Sequence, residues 1–190
     1  MLLYRVFLYD DTAREGESGS ATYLHRPQGR GRWDNDHLYG AWYFATSAEG
    51  SIGETFGNYF QWTSDMFDPL PTGLRRALAI FSAPDDLSIS DFDDASRLQQ
   101  LSMRPSGVVI RNSAYTQGKA AEVFNERRAD GARMWAGLRW WSFHRPFWTN
   151  LMLWQAPGED EPIQLQDVQE LSLTHTAVIE AARTLVRPLP

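Results

Sequence analysis

The sequence predicts an α+β domain, a mixed sheet with flanking helices. Three observations predict it. Short apolar runs rich in Val, Leu, Phe, Tyr and Trp recur along the chain, as strands require. Segments with helical spacing lie between them, most clearly around Ile52 and Phe56, Ala120 to Phe124, and Ala177 to Leu185. The two kinds interleave irregularly through long polar loops, unlike the regular alternation of a parallel βα array. The chain also has no G-x-G-x-x-G after a strand and no G-x-x-x-x-G-K-[ST], so dinucleotide-fold and P-loop readings lack their motifs.

Taken in order, LLYRVFLY (2–9) reads as a strand and the Gly-, Ser-, Thr- and Arg-rich stretch 11–31 as a loop. AWYFAT (41–46) is a second strand. A helix follows, opened by a capping box of Thr46 and Glu49, with Ile52, Phe56 and Phe60 at helical spacing and Tyr59 beside them. Gly50, Gly53 and Gly57 weaken that helix by propensity, and would let a backbone or a ligand pack close. From Trp62 to Gly73, Asp65, Asp68, Pro69 and Pro71 predict a loop. LRRALAIFSA (74–83) and DLSIS (86–90) read as strands, and 91–102 as a short helix begun by Asp91. A longer helix is expected over 112–128, with Ala120, Val123, Phe124 and Arg127 in register and Asp130-Gly131 ending it. AGLRWWS (136–142) and NLMLW (150–154) are strands around a turn containing Pro146. Residues 162–173 add strand, and 174–186 form an amphipathic helix on Ala177, Val178, Ala181 and Leu185. No internal repeat or linker interrupts the 190 residues, so one domain over 1–190 is expected.

Composition narrows the chemistry. There is no cysteine, which removes disulfides, thiolate metal sites and a Cys nucleophile, and fits a reducing cytoplasm. MLLYRVFLYDD has no basic segment or cleavage site and reads as a strand rather than a signal peptide. No run reaches the roughly 18 apolar residues of a membrane span. The net charge of −6 argues against nucleic-acid binding by this chain. The four histidines, His25, His37, His144 and His175, are scattered without metal-ligand spacing, so no metal site is expected. All of the 18 basic residues except Lys119 are arginine, the side chain whose planar fork grips phosphate at two points.

Four patches carry candidate chemistry. Tyr4-Arg5 places a cation inside the opening strand, facing either solvent or a ligand. Gly29-Arg30-Gly31-Arg32-Trp33-Asp34 is a basic, Gly-rich turn suited to a diphosphate or simply to a surface loop. Tyr43-Phe44-Ala45-Thr46 leads into the helix carrying Glu54, an acid in a weakly charged stretch. The equal steps of 11 residues from Arg32 to Tyr43 to Glu54 let loop, strand and helix converge on one cleft. Last, Gly137-Leu138 runs to Ser142 and on to Asn150 and Trp154. A serine at that strand end bonds a ligand oxygen or caps a turn. Ser113 is a competing serine without the strand context.

Together and in this order, these patches resemble the RES domain, a family named for an Arg, a Glu and a Ser. Tyr4-Arg5, Gly31-Arg32-Trp33, Tyr43-Phe44-Ala45, Glu54, Gly137 to Ser142 and Asn150 to Trp154 fit its pattern, which covers about 3–155 and leaves 158–190 as a C-terminal extension. Asp34 stands where Asn is expected, and Phe143-His144 follow the serine where a small residue is expected. The resemblance implies a fold similar to the ADP-ribosyltransferase toxins and cleavage of NAD at its nicotinamide–ribose bond. It implies a toxin restrained by a cognate Xre-type antitoxin, with a homodimer expected by analogy. NAD is then substrate rather than cofactor, with inorganic phosphate a second substrate if the reaction is phosphorolysis. Glu54, Arg32 and Tyr43 are the catalytic candidates. Arg5, Tyr4, Arg30, Ser142 and Asn150 are the substrate-binding ones. Two other readings stay open: transfer of ADP-ribose to a protein, and a RES-like module that binds NAD without turning it over.

Overall fold

Eight residues at the N-terminus, Leu2–Tyr9, form β1 because apolar side chains fall on both of its faces. Leu3 and Phe7 point one way, and Tyr4 and Val6 the other. The computed structural model describes residues 1–68 and 73–190. After β1 come β2 (Gly40–Ala45), α1 (Ala48–Phe56), a 3-10 helix (Ser64–Phe67), β3 (Arg75–Ser82), β4 (Ile89–Asp91), α2 (Ala95–Gln100), α3 (Pro105–Val108) and α4 (Ser113–Phe124). Then follow β5 (Gly137–Trp141), β6 (Thr149–Gln155), β7 (Gln164–Glu170) and α5 (Thr176–Leu185). The strands make one seven-stranded sheet in the order β4-β5-β6-β2-β1-β3-β7. Every neighbouring pair is antiparallel except β4–β5, so the fold is α+β with a mixed sheet.

The helices lie on one face. Ala41, Leu138, Met152 and Trp154 pack against Leu98 of α2, Val108 of α3 and Val123 of α4. Further along, Leu78, Tyr4 and Val6 pack against Ile52 and Phe56 of α1 and Val178 and Ala181 of α5. The opposite face gathers Leu3, Phe7, Trp42, Phe44 and Phe81, covered in part by Ala21 and Leu24.

Several boundaries move for local reasons. Thr46 does not cap α1. Its N–H donates to the Thr149 carbonyl, keeping it in the strand ladder, and Ser47 caps instead, accepting from Gly50 N at 3.1 Å. The helix stops at Phe56, leaving Tyr59 and Phe60 outside it, Phe60 87% exposed. Asp91 belongs to β4 opposite Arg139, and Asp94 caps α2 by accepting from Ser96 N. The strand expected over 86–90 is therefore short and shifted to 89–91. Arg127 lies beyond α4, in a bridge with Arg133. The 3-10 helix and α3 are additions, too short to show a period. Pro69 and Pro71, in the expected 62–73 loop, lie outside the described residues.

Candidate active site

The sheet parts where β1 meets β2. These strands share a single register pair, Tyr4 with Ala45, while β1 pairs with β3 along its whole length. Beside that pair, Val6 N donates to Ser51 Oγ of α1 at 3.1 Å, so a buried helix serine replaces the missing strand partner. A cleft of about 200 Å³ opens at the parting. Tyr4, Tyr43, Glu54, Trp140 and Asn150 line it, with Ser51 and Thr55 on the helix side. It is smaller than the ~300 Å³ of an ordinary ligand pocket, a size for one ring of a ligand and its sugar rather than a whole dinucleotide.

Glu54 sits on α1 two turns from its start. Its Oε1 is fully enclosed and has no hydrogen-bond partner among the described residues. A buried acceptor left unpaired costs about 1–3 kcal/mol, so such an atom calls for an explanation in function. On the far wall, Asn150 is 5% exposed, and its amide also makes no hydrogen bond among the described residues.

Arg32 comes in on the turn before β2. Asp34 holds that turn: its carboxylate accepts from Gly31 N at 2.6 Å and from the Tyr43 hydroxyl at 2.7 Å. A side chain at position 31 would run into the same carboxylate, which is why glycine stands there. The Tyr43 oxygen also accepts from Trp33 N at 3.0 Å. Burial first, and then the Asp34 charge and hydrogen bond, push the Tyr43 hydroxyl well above its usual range. Sequence reasoning gave Tyr43 a role on the ribose or nicotinamide. Its hydroxyl is instead committed to the turn, and only the ring faces the cleft, edge-on to Trp140. Arg32 itself donates to the Val108 carbonyl at 2.9 Å. Burial lowers its pKa, opposed by the charges of Glu54 and Tyr43 and reinforced by Arg111.

The remaining candidates divide. Tyr4 and Asn150 line the cleft. Arg5 lines it too, yet its guanidinium lies 5.2 Å over the Trp42 ring and donates at 3.4 Å to the Tyr23 carbonyl, on the sheet face away from α1. Burial pushes it down to about 10. Neither Arg30 nor Arg32 lines the cleft: both line a separate cavity with Ile110, Arg111 and Ser113, and Arg32 is tied to the cleft only through the charge of Glu54. Ser142 is 1% exposed and takes the turn-capping alternative: its Oγ accepts from His144 N at 3.0 Å and Arg145 N at 3.3 Å. It fixes the β5–β6 connection that delivers Asn150. Ser51, Thr55 and Trp140 were not singled out from the sequence. Only Trp140 had a signal to offer, since it lies in the run from Gly137 to Ser142 that the family pattern covers.

Comparison with known proteins matches residues 2–175 to the family model described as the RES domain, ending at the start of α5. No curated protein matches the chain. Among solved structures, it is similar to a chain of the M. tuberculosis MbcT–MbcA toxin–antitoxin complex, with a TM-score of 0.56 and 15% identity, over 90% of this chain and 84% of that one. At that identity the likeness is one of fold.

Proposed function

The chain belongs to the RES domain family, and from that premise we propose that it is the toxin of a toxin–antitoxin pair and depletes NAD by breaking the nicotinamide–ribose bond. The observation that carries the reading is the enclosed, unpartnered carboxylate oxygen of Glu54 in the cleft between β1 and β2. When the C–N bond breaks, its electron pair goes to the positively charged ring nitrogen and nicotinamide leaves neutral, so no general acid is needed. Positive charge develops at the ribose instead. An ionised carboxylate beside that carbon stabilises it. Water as acceptor yields ADP-ribose and a proton. Phosphate as acceptor yields phosphorylated ADP-ribose and a proton.

The other residues serve that step. Asn150 offers an unengaged amide to a ribose hydroxyl or to the nicotinamide carboxamide. Trp140 and the Tyr43 ring form an aromatic wall for the planar base. Tyr43 and Asp34 position Arg32, whose cation faces the negative dinucleotide. A toxin–antitoxin complex of similar fold supports a protein antitoxin as partner, and the family resemblance points to the Xre type.

The deciding measurement is NAD consumption by purified protein, with and without inorganic phosphate, with products identified. Free nicotinamide is expected, and dependence on phosphate separates phosphorolysis from hydrolysis. Intact NAD under both conditions, with folded protein, overturns the reading. ADP-ribose found on protein rather than in solution replaces it with the transferase.

A further inference from the structure

The family match ends at His175, and α5 begins at the next residue. That helix backs α1: Val178 and Ala181 share a core with Ile52 and Phe56, the residues two before and two after Glu54. His175 caps α5. Its ring Nδ1 accepts from Ala177 N at 3.2 Å, the bond that an Asn or Ser side chain ordinarily makes at such an end. The other ring nitrogen, Nε2, lies 3.1 Å from Gln169 Oε1 of β7. The Gln169 amide nitrogen donates to Asp167 at 2.9 Å, which turns its oxygen toward the histidine. This chain of bonds fixes the proton: Nε2 carries it and donates to Gln169, while Nδ1 is bare. A second proton has only Nδ1 to go to, the atom that already accepts from Ala177. Two N–H groups would then face each other, and a positive charge would stand at the positive end of α5. Asp167 reaches the ring only through the Gln169 amide, Glu170 of the same strand pairs with Arg75, and the first turn of α5 holds no acid. Burial alone shifts the titration of the ring, and downward; neither Glu49 and Glu54 of α1 nor Glu180 and Arg183 of α5 contribute to it.

We propose that His175 is a pH-sensitive latch: neutral, it holds α5 against the helix that carries Glu54; protonated, it releases the first turn of α5 and loosens that backing. Asn or Ser would cap the helix without titrating, so what histidine adds at this position is the dependence on pH. The sign follows from the hydrogen bonds. The folded ring takes up a proton less readily than an unfolded histidine, which titrates near pH ~6.5. The cap is therefore complete above that pH and is lost as the pH falls below it. The latch acts on the helix that the function proposed above relies on, but its bonds and its test stand without that reading.

The test begins with the ring-nitrogen NMR shifts of His175 in the wild-type protein at about pH 7.5, where the proton is expected on Nε2. Thermal melts and amide exchange then compare wild type with His175→Asn and His175→Ser at about pH 7.5 and about pH 5.5. Between those values wild type is expected to lose about 2–4 °C more in Tm than either variant, the effect of one helix cap. Amide protection in the first turn of α5 and at Ile52 to Phe56 is expected to fall roughly five- to tenfold in wild type and to hold in the variants. Every other titrating group is common to the three proteins, so the difference isolates residue 175. Two capping variants are used so that the comparison survives if one fails to fold. A proton on Nδ1 at neutral pH, or equal losses in wild type and variants, overturns the latch. So does a wild type whose first α5 turn opens in acid while Ile52 to Phe56 keep their protection. No readout involves NAD, so the latch and the enzymatic reading fail separately.

Discussion

Tyr43 stabilises through its neutral form. In Tyr43→Phe, Trp33 N and an Asp34 oxygen lose their partner, at about 1–3 kcal/mol. A fall in Tm of several degrees is expected. Because the turn carrying Arg32 loosens, KM for NAD should rise more than kcat falls, and an unchanged KM would argue against a positioning role. The pH dependence has a definite sign. Folded Tyr43 holds its proton more tightly than an unfolded tyrosine, which ionises near pH ~10. Its contribution is therefore complete below that pH and lost as the pH rises beyond it. Denaturant titrations from pH 8 to 11 should show wild type losing stability above about pH 10 and Tyr43→Phe losing less. Arg5 has the opposite economy. Its folded form disfavours the charge, so at neutral pH it is a burden that eases only as the pH climbs past about 10. Arg5→Met should raise Tm by a few degrees, and a lower Tm would show that the Trp42 contact outweighs desolvation. Glu54→Gln should melt like wild type and leave NAD intact. Wild-type rates in that variant would remove Glu54 from the chemistry.

At the scale of elements, the helix bearing Glu54 is held by contacts that its own sequence does not advertise. Gly53 lies against the buried Trp148 ring, into which an added methyl would be driven. Alanine gains about 1 kcal/mol of helix propensity. Overpacking a rigid indole costs about 1–3. Gly53→Ala should therefore destabilise, by a Tm shift that thermal melting resolves, and a stabilised variant would mean that Trp148 swings aside. Behind the same helix, α5 covers Ile52 and Phe56. Ending the chain at His175 would expose both, at about 1.5–3 kcal/mol each, a large part of a typical domain's stability. Strands with long apolar runs were legible because every residue of such a run votes for the same state. The start of α1 was not, because Thr46 and Ser47 are both good caps and only the pairing of Thr46 with Thr149 decides between them. Glu54 and Arg32 stood out as charges in unusual company. Arg111 and the second partner of Ser142 did not, since α3, the α4 entry and the β5–β6 turn meet the site only through tertiary packing.

The whole molecule divides along the β1–β2 parting into β4-β5-β6-β2 and β1-β3-β7. Hydrogen exchange should be faster for amides flanking the Tyr4–Ala45 pair than along the β1–β3 ladder, and uniform protection would deny the parting any weakness. The halves are nonetheless no pair of domains, because the chain crosses between them after β1, β2, β3 and β6. That interleaving sets a clock on translation. Tyr4 leaves the ribosome first, but the wall opposite Glu54 waits for β6 and Asn150, near the end of synthesis. A growing chain that has not yet reached β6 lacks the Asn150 wall, so the cleft around Glu54 is assembled only when synthesis is nearly complete.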